Sequence, residues 1–303
     1  YVLSFQSPLG STTDGQTCQC IVAKRLKFAP VFGDLSARDL KSWPLDAIVC
    51  RKFHANFKGV EGVAKPKSYL GERTKAIHAG EAPDGKTGAS APNLVMSSTF
   101  VAKEAAGFSA HDLSDAQDEF LYARWGNPTV ASLEQKIAAL EGVEACACYA
   151  SGMAAASAIF FTFLSAGDHC IISDVCYAGV AELAHDTLPR FGIAVSRVDL
   201  SDLEAVKAAL RSNTKLIHAE SPANPIMRLA DIKALADLAH SVGGLLSCDA
   251  TFASPLGQNS AALGVDLIMH SITKYIGGHG DAVGGAVAGS KALIGQMTLE
   301  ANI

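Results

Sequence analysis

The segment SITK (271–274) places Lys274 directly after a predicted apolar strand, and glycines follow it at positions 277, 278 and 280. A buried amine with a depressed pKa is suited to form a Schiff base with an aldehyde. An ordinary surface lysine after a strand is the alternative interpretation. The position alone therefore leaves a reactive lysine and a simple turn both open.

Two more residues follow predicted strands and could contact a flat, charged ligand. Asp249 ends an apolar run, where a carboxylate requires a cationic partner such as a protonated pyridine nitrogen. Tyr177 begins a predicted helix and could stack on a ring. A capping or turn aspartate, and ordinary core packing of the tyrosine, are the alternatives.

Two segments offer groups that bind phosphate. SGM (151–153) begins a helix after a strand, and free N–H groups at such a start bind anions. The segment is no Walker loop, because no Gly-Lys-Ser/Thr follows it. Tyr122 and Arg124 lie on an extended segment and offer a phenol and a guanidinium. A solvated arginine is the alternative there.

Helix and strand signals alternate from about Tyr69 onward. One helix starts at Pro128 after an Asn127 cap and ends at Gly142. Ser201 with Glu204 predicts a capping box. The predicted strands are 145–149, 170–172, 193–198, 215–219, 245–248 and 265–269, and the other predicted helices are 151–164, 177–190, 201–210 and 231–241. This succession predicts an α/β fold with a mostly parallel sheet covered on both faces, where ligands bind beyond the carboxyl ends of the strands.

Composition excludes several classes of protein. With 49% hydrophobic and 18% charged residues in 303, the chain is no disordered protein. A net charge of −5 disfavours nucleic acid as a partner, and no apolar run reaches the roughly 18 residues of a membrane span. His270 and His279 have no partner at ligand spacing, so no metal is predicted. Cys146 and Cys148 lie in an apolar stretch, which favours buried thiols in a reducing compartment.

Residues 1–68 differ from the remainder. They hold ten Lys/Arg and five Asp/Glu, a net charge of +5, and prolines interrupt them at 8, 30, 44 and 66. We expect this segment to lie outside the folded core. It is either an organelle-targeting extension or a disordered, unrelated one, and its five acids argue against a pure transit peptide.

The weak signals together describe one ligand. An aldehyde carbon meets Lys274, a ring nitrogen meets Asp249 and a ring face meets Tyr177. A phosphate meets the helix start at 151–153 and the hydroxyls of Ser271 and Thr273. The sequence therefore predicts pyridoxal 5′-phosphate as the cofactor.

The order of these motifs resembles the Cys/Met-metabolism family of pyridoxal-phosphate-dependent enzymes, which includes cystathionine γ-synthase, cystathionine γ-lyase, cystathionine β-lyase, methionine γ-lyase and O-acylhomoserine sulfhydrylases. The matching segments are YARWGNPT (122–129), SGM (151–153), Tyr177, ESPANP (220–225), Asp249 and SITKYIGGHGD (271–281). The resemblance runs from about Thr74 to the last residue and implies a fold-type I transferase.

The resemblance also implies roles for the site residues. Lys274 would carry the Schiff base and move protons, Asp249 would keep the ring nitrogen protonated, and Tyr177 would stack on the ring. Asn224 would lie near the cofactor's hydroxyl. The phosphate donors would be Ser151, Gly152, Met153, Ser271 and Thr273. Tyr122 and Arg124 would reach the neighbouring subunit's phosphate across a dimer interface.

Three domains follow from the resemblance: the extension 1–68, an N-terminal arm 69–126 that contributes to the neighbouring site, and a large cofactor-binding domain 127–303. The family continues with a smaller C-terminal domain that carries a carboxylate-binding arginine, and we expect that domain to be missing from this sequence, which stops at Ile303. Ala250-Thr251 replaces the usual Asn-Thr. Gly179 stands where methionine γ-lyases carry cysteine, which argues against that activity.

The resemblance implies a transsulfuration enzyme that catalyses γ-replacement or γ-elimination on a homoserine ester, cystathionine or a related small amino acid. Cystathionine β-lyase or methionine γ-lyase activity is the alternative, and a catalytically silent assembly subunit is the alternative of another class. The implied assembly is a homodimer with shared sites, or a tetramer. We expect a cytoplasmic protein, or a plastid or mitochondrial one if residues 1–68 are a targeting segment.

Overall fold

Seven strands form one mixed sheet in the computed structural model, which describes residues 71–101 and 120–302. In chain order the strands are β1 (Ala145–Tyr149), β2 (His169–Ser173), β3 (Ala194–Val198), β4 (Thr214–Glu220), β5 (Leu245–Asp249), β6 (Leu267–His270) and β7 (Gly285–Gly289). Their order across the sheet is β1-β7-β6-β5-β4-β2-β3. β7 runs antiparallel to β1 and β6, and the other neighbouring strands are parallel. The predicted mostly parallel sheet is thus confirmed.

Helices flank this sheet. In chain order they are α1 (Glu72–His78), α2 (Pro128–Glu141), α3 (Gly152–Phe163), α4 (Ala178–Glu182), α5 (Leu203–Ala209), α6 (Ile232–Ser241), α7 (Ser254–Gly257) and α8 (Lys291–Asn302). Among the residues described, no helix combines the length and the apolar character that crossing a bilayer requires.

Two apolar layers cover the two faces of the sheet. One layer contains Ile171, Ile217 and Ile268 and packs with residues of α2 and α6. The other contains Ile172 and Leu216 and packs with residues of α3 and α8. Because side chains alternate along a strand, consecutive residues such as these isoleucines enter opposite layers. Both faces are therefore buried, as the apolar strand sequences predict.

The start and end of α2 follow the predicted signals. The Asn127 side chain accepts a hydrogen bond from the Thr129 N–H (2.8 Å), and Pro128 takes the first helical position. Gly142 ends the helix with a φ of 72°, a left-handed conformation that glycine adopts without strain.

The predicted capping box at Ser201 is wrong. Asp202 caps α5 instead, and its carboxylate accepts from the backbone N–H groups of Glu204 and Ala205. The Ser201 hydroxyl donates to Asp199 Oδ1 (2.6 Å), so it is already in use. The carboxylate one residue later is better placed for the free N–H groups.

The predicted helix 177–190 is confirmed only in part. α4 passes into a π turn (Leu183–Thr187) and then a 3-10 turn (Leu188–Phe191). Pro189 has no N–H to continue an α-helical ladder, which accounts for the change at its end.

The residues before α2 pack along that helix. The Ser132 hydroxyl donates to the Gly80 carbonyl (2.7 Å), and Lys136 forms an ion pair with Glu81. Asn127 Nδ2 donates to the Val95 carbonyl (3.0 Å). The predicted domain boundaries stay predictions, and the predicted extension 1–68 and part of the predicted arm lie outside the described residues.

Candidate active site

A cavity of about 680 Å³ opens at the carboxyl ends of the parallel strands. It brings together nine of the predicted site residues: Ser151, Gly152, Met153, Tyr177, Asn224, Asp249, Ser271, Thr273 and Lys274. Residues far apart in the chain converge there because β1, β4, β5 and β6 all end at this edge. The position agrees with the rule for open α/β sheets.

Lys274 lines the cavity and is exposed, so of the two possibilities that its position left open, the structure shows the exposed lysine. The chain leaves the core after β6 and turns back, with the Gly278 N–H donating to the Lys274 carbonyl (2.8 Å). This turn requires glycines. A Cβ at Gly277 would lie 2.8 Å from the Ile272 carbonyl oxygen, and Gly278 has a φ of 78°. The glycines therefore set the position of the lysine at the cavity wall.

Asp249 is the last residue of β5 and only 7% exposed. Burial raises the pKa of this carboxyl, and hydrogen bonds from Thr251 and the charge of His270 oppose the rise. The Thr251 N–H donates to Asp249 Oδ1 (2.9 Å). In the part of the chain that the structure describes, no Lys, Arg or His nitrogen forms an ion pair with this carboxylate. A cationic ligand atom would supply the missing partner.

The start of α3 lies against the segment that follows β6. A Cβ at Gly152 would be 2.9 Å from both Cβ and Oγ of Ser271, so this close approach admits glycine alone. The Ser151 hydroxyl caps the helix by accepting from the Ala154 N–H (3.1 Å). The helix N-terminus and the Ser271 hydroxyl thus face one space, which suits a phosphate.

The Thr273 hydroxyl already has two partners. It donates to the Gly284 carbonyl (3.1 Å) and accepts from the Gly284 N–H (3.0 Å). This residue therefore joins the Lys274 segment to the residue before β7. Its predicted contact with phosphate stays a prediction.

Tyr177 lies at the start of α4 with its side chain 46% exposed at the cavity wall. Its backbone N–H donates to Glu220 Oε2 (2.6 Å), and Glu220 Oε1 accepts from the Asn224 N–H (2.7 Å). Burial raises the pKa of Glu220 to about 7, an effect that the charge of Asp249 adds to and the two N–H groups oppose. Glu220 was not among the predicted site residues. An acid at the end of an apolar strand was the available signal.

Tyr122 and Arg124 do not line this cavity. The Arg124 guanidinium lies over the rings of Tyr122 (5.7 Å) and Trp125 (5.8 Å) and donates to the Asn302 carbonyl (3.0 Å). Their predicted role at a neighbouring subunit stays a prediction.

The residues present fit pyridoxal 5′-phosphate. An amine, a buried carboxylate, a half-exposed aromatic ring and a glycine-lined helix start surround a single cavity. Each matches one part of that cofactor: aldehyde, ring nitrogen, ring face and phosphate.

The sequence profile of a family described as Cys/Met metabolism PLP-dependent enzymes matches residues 73–302. The chain belongs to this family. The predicted family and cofactor are confirmed, and enzymes of this family act on small amino-acid substrates.

Two curated relatives illustrate the similarity. Canavanine γ-lyase of Pseudomonas canavaninivorans is 43% identical over 238 residues, which cover 78% of this chain and 59% of the relative. Cystathionine γ-synthase of Mycobacterium tuberculosis is 42% identical over 217 residues, which cover 72% of this chain and 54% of the relative. The chain thus spans between half and three-fifths of the length of these relatives.

Solved structures show the same fold. The crystal structures of metB from Corynebacterium glutamicum and of cystathionine γ-lyase from Lactobacillus plantarum, complexed with L-serine, are each 38% identical with a TM-score of 0.70. The match covers 77% of this chain and 59% and 58% of theirs, respectively. The predicted fold-type I architecture is confirmed.

Proposed function

We propose that this chain carries the cofactor-binding site of an enzyme that acts at the γ-carbon of a small amino acid bearing a sulfur or activated oxygen leaving group. The reaction is γ-elimination or γ-replacement. The observation that carries the proposal is the convergence of Lys274, Asp249 and Tyr177 in one cavity beside a phosphate-binding helix start. Relatives named as γ-lyases and γ-synthases support it.

When bound, pyridoxal phosphate supplies an electron sink for the electrons left at the substrate's Cα. Lys274, which lines the cavity, takes the Cα proton on Nζ and returns a proton farther along the substrate. Asp249 holds a proton on the ring nitrogen. Desolvation raises the pKa of Asp249, and a protonated ring nitrogen beside it would favour the ionised carboxylate.

Elimination and replacement use the same residues, and the relatives named for the two reactions have similar identities, 43% and 42%. Methionine γ-lyase activity is disfavoured by Gly179. A Cβ there would lie 2.9 Å from Met153 Sδ and from Tyr177 Cε1, so a cysteine at this position would require these two side chains to shift. β-Elimination on cystathionine is the next candidate.

We further propose a homodimer with shared sites and, by resemblance, a tetramer. The placement of Tyr122 and Arg124 outside the cavity of their own chain supports a contribution to a neighbouring one. A cytoplasmic, reducing location is proposed from the five cysteines of the described ranges, which are all free thiols. A plastid or mitochondrial location is the alternative.

The test is a visible absorption spectrum of the purified protein, before and after borohydride, with peptide mapping. We expect a visible band that borohydride removes, with the cofactor attached to Lys274. K274A should lose both, whereas K291A, which removes an exposed lysine at the start of α8, should keep both. No band and no adduct in the wild type, even with added cofactor, would favour the silent assembly subunit.

A further inference from the structure

Glu220 is a buried carboxylate to which the proposed chemistry gives no task. It is the last residue of β4, is 6% exposed, and is paired with Asp249 of β5 in the sheet register. Within residues 71–101 and 120–302, no ion pair neutralises it. A buried acid of this kind is retained at a cost in either protonation state, so its contacts indicate its use.

Both oxygens of Glu220 accept backbone N–H groups, and the two donors come from different loops. Oε2 accepts from Tyr177, in the loop that follows β2, at 2.6 Å. Oε1 accepts from Asn224, in the loop that follows β4, at 2.7 Å. Hydrogen bonds to an ionised carboxylate are stronger than neutral ones. A single side chain therefore links the two loops.

Each linked loop presents a residue to the cavity, since Tyr177 and Asn224 both line it. We propose that Glu220 is a positioning residue, which holds Tyr177 and Asn224 at a fixed separation for the ring of the cofactor. The proposal rests on the proposed function in that the ligand is pyridoxal phosphate. Glu220 itself acts only through the two backbone N–H groups.

The chemistry of the carboxylate explains why glutamate is needed. Glutamine has the same shape but a single acceptor oxygen, so its NH₂ group would face one of the two N–H groups. Aspartate keeps the charge but is one methylene shorter, so it cannot reach both donors in the present geometry. E220Q should therefore lose one link and E220D should lose at least one.

Glu134 supplies a matched control. It is a partly buried acid, and its Oε1 accepts one backbone N–H, that of Cys148, at 2.9 Å. It does not line the cavity. In E134Q the amide oxygen can keep this single hydrogen bond. E134Q therefore makes the same Glu→Gln change as E220Q without breaking a link between two loops.

The experiment titrates the apoproteins of wild type, E220Q, E220D and E134Q with pyridoxal phosphate. Absorbance gives the dissociation constant, and visible circular dichroism reports the asymmetric contact of the ring with Tyr177. We expect the dissociation constant of E220Q to rise about tenfold, equivalent to about 1.4 kcal/mol, with a weaker dichroic band. E134Q should stay within about twofold of wild type. An E220Q protein with wild-type affinity and dichroism would overturn the proposal.

Hydrogen exchange of the apoproteins tests the links without the cofactor. Peptides that contain the Tyr177 and Asn224 N–H groups should be protected in wild type. They should exchange faster in E220Q, or in E220D if E220Q does not fold, than in both wild type and E134Q. Unprotected amides in wild type would overturn the proposal. If wild type binds no pyridoxal phosphate, the proposed function fails, and these exchange rates still decide the role of Glu220.

Discussion

Glu220 and Asp249 are paired in register at the ends of adjacent parallel strands, and both carboxylates are buried at one cavity. Glu220 is engaged on both oxygens by backbone N–H groups, whereas Asp249 accepts one backbone N–H, that of Thr251, at Oδ1. The difference separates two roles for two similar acids. Asp249 retains the capacity to bind a cation, and Glu220 is committed to holding the loops.

The first prediction concerns D249N. Because burial raises the pKa of Asp249, the folded apoprotein disfavours the charge, and the neutral amide should make the apoprotein more stable at pH 7. Turnover should fall by on the order of 100-fold, since the ring nitrogen loses its anionic partner. Thermal unfolding of the apoprotein and steady-state kinetics check the two effects.

D202N is the control for that pair of measurements. Asp202 caps α5 on the surface, and asparagine caps equally well, so stability and turnover should both stay near wild type. A D249N enzyme that keeps full turnover would contradict the role given to Asp249.

The second prediction is a pH dependence of stability. Burial raises the pKa of Glu134 to about 7, although the Cys148 N–H opposes the rise. Protonated Glu134 buries no charge, so its contribution to the free energy of unfolding is fully present below the unfolded pKa of about 4.3. This contribution is lost as the pH rises to about 7. E134Q has no such charge to bury. Its free energy of unfolding should exceed that of wild type by up to about 3 kcal/mol at high pH and by less at low pH.

Urea unfolding of the apoprotein near pH 5 and near pH 8 measures this difference. E300Q, which changes an exposed acid of α8, should leave the pH profile as it is. An equal effect of E134Q at both pH values would show that Glu134 does not titrate between them.

The third prediction tests the helix start. In G152A the new Cβ would be 2.9 Å from Ser271 Cβ and Oγ, so α3 and the Ser271 segment must separate. Affinity for pyridoxal phosphate should fall by about tenfold or more because the phosphate donors move apart. G295A, in α8, meets no atom within 4 Å and should bind the cofactor normally with slightly greater stability. Normal affinity in G152A would exclude this helix start as the phosphate site.

The sequence predicted much of the fold because apolar strand runs are local signals. β2 and β4 lie within two residues of their predicted bounds. β7 was missed, since its sequence GAVAG has little strand propensity. It requires glycine for close packing: a Cβ at Gly285 would lie 2.1 Å from the Ser151 carbonyl oxygen. Because this contact joins residues far apart in the chain, no local sequence pattern predicts it.

The site could be predicted because ligands of open α/β sheets bind beyond the carboxyl ends of the strands, so residues that follow predicted strands are expected at one edge. This rule brought Lys274, Asp249 and Tyr177 to one cavity as predicted. The same rule could not assign Glu220, whose partners are backbone N–H groups in two loops. The rule also does not describe the exposure of Lys274, because the turn of the glycine-rich segment away from the core is a tertiary feature.

The last prediction concerns the shared site. If Arg124 serves a neighbouring subunit, each site combines Lys274 of one chain with Arg124 of the other. R124A and K274A then each remove a different chain's contribution to a site. Mixed dimers would then contain one intact site, with Lys274 from one chain and Arg124 from the other, and random mixing should restore about a quarter of wild-type activity. Mixing D249N with K274A is the control, since both residues belong to the cavity of one chain and no intact site can form. Mass spectrometry first shows that the subunits have exchanged, and activity assays of the mixtures then test whether the site is shared. If the mixture of R124A and K274A is as inactive as the control, each chain completes its own site.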